Sequence, residues 1–419
     1  MNSFDKIIGY ESEKKELYQI MDALKNKEKY DRFGAKLPKG VLIFGAPGLG
    51  KTMLAEAFIK ECGVSTFSFR KNDDDKECLA AINDAFKKAK EKGTAIIFFD
   101  DLDKFCDKDD ECRDCKIFNN IQKNIDSVKD ENILILATAN DYEKLPDSLV
   151  RNGRFDRKIR IKTPESEEAK KIIQYYLSQK RIEKGIDFED VARMVDYSNC
   201  ADLETIANDA AILSAHKGKQ AIDIDDIASA YLKRWFFGKF KEKEDVDMSI
   251  YHEIGHVVVA ECLKKGSANF VTVNSHSKSD VGGFTNLSDG LRRAELVLIT
   301  LGGKAASELF CDGSVASGCH DDLSKAVRLL AEGMSNNGIL GFSALDHEYP
   351  DLSQSLKTRQ EMYTNCELER YFYLAKKILF HNKDFYFKLV EALKKKDYLL
   401  FSEIQEIRKN RTIETFYAC

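Results

Sequence analysis

Proline is scarce in this 419-residue chain, five in all, and tryptophan occurs once. So little proline leaves helices free to run long. No apolar run approaches the roughly 18 residues that a membrane helix needs, the clearest being Ala95–Phe99 and Ile133–Ala137. The opening residues, MNSFDKIIGYESEKK, have neither an apolar core nor a cleavage signal, so export is not expected. Positive charge is not in excess: 65 Lys and Arg face 70 Asp and Glu, net −5, which removes the basic footprint of a nucleic-acid binder. No internal repeat and no low-complexity segment is visible. Cysteine is plentiful at eleven, but the number is odd and no signal precedes it, so reduced thiols in a cytoplasm are expected. With 32% charged and 43% hydrophobic residues the chain has the profile of a folded globular protein. Its length predicts two or three domains at about 150 residues each, large enough to bury cores without staples.

Up to about residue 163, short apolar β-type runs alternate with amphipathic stretches. Val41–Phe44, Ala95–Phe99 and Ile133–Leu136 read as strands, and such alternation predicts a parallel sheet covered by helices. From residue 164 to about 237 strand runs vanish, and Glu168–Gln179 and Asp202–His216 read as helices of a small helical domain. Gly238–Asp245 is charged and aperiodic, a predicted linker. The remainder, 245–419, is expected to be mainly helical, with a β-type stretch near 270–285 and a tail of amphipathic helices from Leu356 to Asn410.

Gly45-Ala46-Pro47-Gly48-Leu49-Gly50-Lys51-Thr52, followed by Met53, fits the P-loop pattern between a strand and a helix. Glycines let backbone N–H groups face phosphates at a helix N-terminus, Lys51 adds a positive charge, and the Thr52 hydroxyl is suited to Mg2+. The strand Ile96–Phe99 ends in Asp100 and Asp101. Asp100 would hold the Mg2+ shell and Asp101 would polarise the water attacking the γ-phosphate. Asn140, at the end of the third strand, is placed to orient that water. Together with Arg151 and Arg154, which read alone as surface charge, this pattern resembles the AAA+ family. That resemblance implies that both arginines act in trans on a neighbouring subunit's nucleotide, and hence a ring, usually a hexamer.

His252-Glu253-Ile254-Gly255-His256 falls in a predicted helix, Met248–Lys265, with Asp247 as N-cap and Gly266 as C-cap. Histidines at i and i+4 share a helix face and can bind one Zn2+, while Glu253 beside them can take a proton from water. A third protein ligand is required, and Cys262 stands where an extended HExxHxxGxxH pattern would put a histidine.

A P-loop ATPase, a helical lid and HExxH in one chain resemble the FtsH family of ATP-dependent zinc proteases. The likeness runs from Phe4–Gly9 through Ser198–Leu203, Leu301–Ala306 and Ser317–Leu323 to the C-terminal helices. It implies an α/β AAA+ nucleotide-binding domain over residues 1–163, a helical lid over 164–237 and a mainly α zinc metallopeptidase domain over 245–419. In the family the motif at Ser317–Leu323 carries the aspartate completing the zinc site, which falls on Asp322; His320, Asp321 and Glu308 are nearby alternatives. Leu323, Ala326, Val327 and Leu330 recur at helical spacing and are expected to pack inward, with Asp322 adjoining that stripe.

The resemblance therefore implies an ATP-dependent zinc metalloendopeptidase with one Zn2+ per subunit and MgATP, acting as a homo-oligomer, as a rule a hexamer, on unfolded or damaged proteins. A nucleotide-controlled remodelling protein with a vestigial peptidase is the rival reading, and a peptidase scaffolded by an idle ATPase a third. Three departures stand out. The chain shows no N-terminal membrane segment, so a soluble, cytoplasmic relative is expected. Asp101 replaces the family's glutamate, one methylene longer, which predicts slow ATP hydrolysis. Phe67–Asp75 lacks the aromatic-apolar-glycine triplet of the substrate-gripping loop, and Phe67 and Phe69 are expected in the core. Cys106, Cys112 and Cys115 read as free thiols on an acidic loop.

Overall fold

The computed structural model describes residues 3–71, 75–105, 116–235, 243–273, 283–311, 319–337 and 354–417. The Cys106/Cys112/Cys115 cluster, Asp73, most of the predicted linker and Ser317–Gly318 lie outside them. The chain forms two compact units, Met1–Tyr176 with Tyr197–Thr205, and Leu177–Asp196 with Ile206–Cys419.

The first unit is built on five parallel strands in the order β2-β3-β4-β1-β5: β1 Gly40–Phe44, β2 Ser65–Arg70, β3 Thr94–Asp100, β4 Asn132–Ala139 and β5 Arg157–Arg160. The helices used below are α1 (Lys51–Cys62), α2 (Asp75–Lys92) and α3 (Lys116–Ser127). Alternate residues of each central strand enter opposite cores. Leu42, Ile97, Phe99 and Ile135 pack with Ile82 and Phe86 of α2 and Ile121 of α3. Val41, Ile43, Ile96 and Leu134 pack with Leu54 and Phe58 of α1 and with Leu17 of the helix Glu11–Lys25. Both faces are covered, so the strands read as unbroken apolar runs rather than alternating ones. Phe67 and Phe69 pack half-buried against the first of these cores. The strand order places the β1 and β3 C-terminal ends at one edge of the sheet, where α/β folds put their ligands.

Between residues 164 and 237 the described elements are helices: Ser166–Ser178, Phe188–Met194, Cys200–His216 and Ile224–Trp235.

The second unit is centred on α4 (Lys243–Leu263), α5 (Arg293–Phe310), α6 (Cys319–Asn337), α7 (Gln354–His381) and α8 (Lys383–Leu393). α4 starts earlier than the sequence suggests, inside the expected linker, because Lys243-Glu244-Asp245 contains no breaker and Lys and Glu are good helix formers. Val257, Val258, Val259 and Ala260 are consecutive and all buried, so α4 is enclosed on every side along this stretch. It crosses α5 very closely: a Cβ on Gly255 would stand 2.4 Å from the Gly302 carbonyl oxygen, and one on Gly302 would stand 2.7 Å from that of Gly255. Three antiparallel strands flank the helices in the order β7-β6-β8: β6 Ala268–Thr272, β7 Phe284–Leu287 and β8 Tyr398–Leu400. β8 lies within the tail expected to be wholly helical; three residues are too few to show a period.

Candidate nucleotide and metal sites

The glycine-rich loop turns from β1 into α1. Gly48 has φ +78°, a left-handed conformation, and a Cβ there would stand 2.7 Å from Asn199 Oδ1. The motif Ser198–Leu203 thus backs the loop, with the Ala201 N–H donating to the Gly48 carbonyl at 3.0 Å. Lys51 Nζ donates to the Ala46 carbonyl at 2.7 Å and to Asn140 Oδ1 at 2.8 Å. Burial lowers its pKa against the pull of Asp101, Asp103 and Asp100. Thr52 Oγ1 donates to Asp100 Oδ1 at 2.8 Å. Asn140 Nδ2 donates to Asp101 Oδ1 at 2.9 Å, and Lys104 Nζ holds Asp101 Oδ2 at 2.6 Å. Lys51, Thr52, Asp100, Asp101 and Asn140 therefore converge at the strand ends, beside Gly45–Gly50 and an exposed Met53.

Three further residues belong to this network. Thr138 Oγ1 donates to Asp100 Oδ1 at 2.7 Å, Asp103 accepts the Asn140 N–H at 3.0 Å, and Arg70 donates from Nε to Asp100 Oδ2 at 3.1 Å. Arg70 lies opposite Asp100 in the β2–β3 register, a placement no local motif announces. Burial works against ionisation of Asp100, yet hydrogen bonds from Arg70, Thr138 and Thr52 hold its carboxyl below the usual range.

The two expected arginine fingers differ in environment. Arg151 is exposed. Arg154 is only 7% exposed and is held within its own unit by Asp126 (Nη2 to Oδ2 2.7 Å), Gln122 (2.8 Å) and the Ser148 carbonyl.

In the second unit His252 and His256 project from one face of α4 toward Asp322 on the first turn of α6. Asp322 Oδ2 lies 2.9 Å from His252 Nε2 and 3.1 Å from His256 Nε2, and the two Nε2 atoms are 3.1 Å apart. The space is made by Gly303 on α5, where a Cβ would stand 2.5 Å from His252 Cε1 and 2.6 Å from His256 Nε2. His256 Nδ1 donates to the Ile299 carbonyl at 2.6 Å, leaving the Nε2 lone pair for a metal. Cys319 Sγ lies 3.6 Å from His252 Nδ1. Once both Nε2 atoms are deprotonated, as ligation requires, the buried Asp322 Oδ2 has no donor, an orphan acceptor that a cation would satisfy. Two imidazoles and a carboxylate suit Zn2+, and the three ligand atoms lie within 4.8 Å of one another.

Glu253 is buried beside this cluster. Thr285 on β7 donates from Oγ1 to its Oε2 at 2.9 Å, and a Cβ on Gly283 would meet Glu253 Cγ at 2.7 Å. Burial raises its carboxyl pKa, opposed by His256, His252 and the Thr285 hydroxyl. A cavity of about 200 Å³ opens onto His252, Glu253, His256, Thr285, Asp322 and Lys325. Of the alternatives to Asp322, His320 and Asp321 are exposed, and Glu308 pairs with Lys304 and with Lys376 (2.7 Å) instead. The inward stripe of α6 departs from the expected one. Ala326 is buried and Leu330 half-buried, but Leu323 and Val327 are 40% and 38% exposed. The inward face runs Asp322–Ala326–Leu330, and Leu323 and Val327 sit about 100° round from it.

A P-loop at the C-terminal edge of a parallel sheet is a nucleotide-binding arrangement, and residues 41–163 match the family described as ATPase family associated with various cellular activities (AAA). Curated relatives named ATP-dependent zinc metalloprotease FtsH align over nearly the whole chain. That of Mesoplasma florum is 30% identical, covering 98% of this chain and 68% of its own. That of Leptotrichia buccalis is 29% identical, covering 96% and 56%. A relative named FtsH 2, from Salinibacter ruber, is 33% identical over 79% and 52%. The chain belongs to the FtsH family. It spans about half to two thirds of the length of these relatives. Among the described residues no helix is long and apolar enough to cross a membrane.

Proposed function

We propose that this chain is an ATP-dependent zinc endopeptidase, working as a homo-oligomeric ring, a hexamer, on unfolded or damaged proteins. The convergence of His252 Nε2, His256 Nε2 and Asp322 Oδ2 beside a buried Glu253 carries the reading. His252, His256 and Asp322 would hold Zn2+. Zinc there would supply Lewis acidity to the scissile carbonyl and acidify a water molecule. Glu253 would take a proton from the attacking water and pass it to the leaving amine. With Oε2 occupied by Thr285, Oε1 is the accepting atom, and a carboxyl pKa raised by burial suits a base at neutral pH.

The domain division is 1–163, 164–237 and 245–419, as the family likeness implies. The loop Gly45–Thr52 with Met53 would bind ATP, with Lys51 on its phosphates. Thr52 and Asp100 would serve Mg2+, and Asp101 and Asn140 would orient the attacking water. Arg151, exposed, is the residue offered to a neighbouring subunit's nucleotide. Arg154 braces the loop that presents it.

Degradation of an unfolded protein should require both ATP and zinc. Cleavage indifferent to ATP would leave the ATPase as a scaffold, and absence of cleavage would favour a remodelling protein. Glu253→Gln should lower cleavage by about 10²–10⁴-fold while sparing ATP hydrolysis. Normal cleavage by that variant would remove Glu253 from the reaction.

A further inference from the structure

The Asp100 carboxylate already has every donor it can take. Oδ1 accepts the Thr52 hydroxyl at 2.8 Å and the Thr138 hydroxyl at 2.7 Å. Oδ2 accepts Nε of Arg70 at 3.1 Å and a second N–H from Nη2. A carboxylate offers about four lone-pair sites, so none is left for the shell of a divalent cation.

One donor must therefore leave, and the three side chains are not equal. Thr138 is fully buried on the adjoining strand β4. Thr52 donates its proton and keeps its own lone pairs for a cation, so it need not move. Arg70 is 71% exposed in its side chain whereas Asp100 is 7% exposed, so the arginine can swing into water cheaply. Its charge also opposes a second cation at the same carboxylate. The neighbouring Asp101 carries a cation as well, Lys104 at 2.6 Å.

We propose that Arg70 is a positioning residue that takes the place of the divalent cation at Asp100 and yields to it. The chain then binds magnesium-free nucleotide, and Mg2+ enters only by displacing the arginine. The proposal rests on the reading that this site takes MgATP. The two effects of Arg70 have opposite signs: its positive charge favours bare triphosphate, and its hold on Oδ2 disfavours Mg2+.

The test is binding of fluorescent N-methylanthraniloyl-ATP to the full chain, first in EDTA and then across a Mg2+ titration. Arg70→Met, which keeps the aliphatic bulk, should weaken binding in EDTA and lower the Mg2+ concentration at half-effect, each by about 3–10-fold. Arg70→Lys, with one charge but no fork, should fall between wild type and Arg70→Met. A purely structural role would weaken both measurements together. An Mg2+ midpoint unchanged or raised in Arg70→Met overturns the proposal. Failure of the wild-type chain to bind the analogue in either condition would overturn the ATP reading itself, and the proposal with it.

Discussion

Gly303 backs directly onto His252: a Cβ there would stand 2.5 Å from its Cε1 and 2.6 Å from its Nε2. Relief requires the imidazole to shift, and Nε2, the atom facing Asp322, is one of the two atoms the new methyl would meet. Gly303→Ala is therefore expected to cost metal more than fold. Alanine adds about 1 kcal/mol of helix propensity, which offsets much of the ~1–3 kcal/mol of overpacking. The purified variant should keep its circular dichroism and melt within a few degrees of wild type, while zinc content measured by atomic absorption falls to a small fraction. Full zinc occupancy would show that the histidines are not held where the contact places them.

Thr285 aims the candidate base. Its hydroxyl reaches Glu253 Oε2 at 2.9 Å from a different element, the strand β7. Thr285→Val keeps the shape and removes the donor. A hydrogen bond to a charged group is worth about 1.5–3 kcal/mol, so kcat for peptide cleavage should fall about 10–100-fold. KM and zinc stoichiometry should stay within twofold. Thr285→Ser should restore most of the rate, and an unrescued loss would point to packing rather than aim.

Zinc uptake should release a proton in a defined pH window. Burial pushes the His256 pKa down, but the Asp322 carboxylate beside it prevails and raises it to about 9 in the protein alone. Asp322 itself stays ionised, held well below the usual carboxylate range by His256 and His252 despite burial. His256 is therefore protonated at pH 7 and must lose that proton to ligate. Apparent zinc affinity should rise by about tenfold per pH unit below pH 9 and level off above it. Calorimetry at pH 7 in buffers of differing ionisation enthalpy should show about one proton released per site. A heat independent of buffer would refute the assignment.

The sequence was most legible where one local rule decides an outcome. β1, β3 and β4 show as apolar runs because both faces of the sheet are covered, and the histidines of α4 are brought together by helix geometry alone. Residues acting across elements were not legible. Arg70, Thr138 and Thr285 each sit opposite a site residue through strand register or the packing of a strand on a helix, and nothing in their own neighbours marks them. Gly303 lies in the stretch Leu301–Ala306 that carries the family likeness, but its place behind the histidines comes only from the helix crossing. The α6 stripe misled for a related reason. Its periodicity is real, but the inward face is set by where Asp322 must point, which leaves Leu323 and Val327 to one side.

The two candidate fingers should separate cleanly. Arg154 gives its guanidinium to Asp126, Gln122 and the Ser148 carbonyl, all in its own unit, and Asp126 is half-exposed. Loss of these bonds in Arg154→Ala should cost roughly 1–3 kcal/mol, less than a fully buried pair would, and lower the melting temperature by several degrees. Arg151→Ala should melt as wild type does and yet hydrolyse ATP poorly, because its guanidinium is exposed and would act only across a subunit boundary. Subunit mixing decides between action in trans and in cis. Lys51→Ala chains lack a working nucleotide site but keep Arg151, whereas Arg151→Ala chains have the reverse. Mixed assemblies should regain ATPase activity at boundaries where Arg151 of one chain meets the intact loop of the other. No recovery on mixing, with both variants assembled as wild type is, would mean that Arg151 does not serve a neighbour.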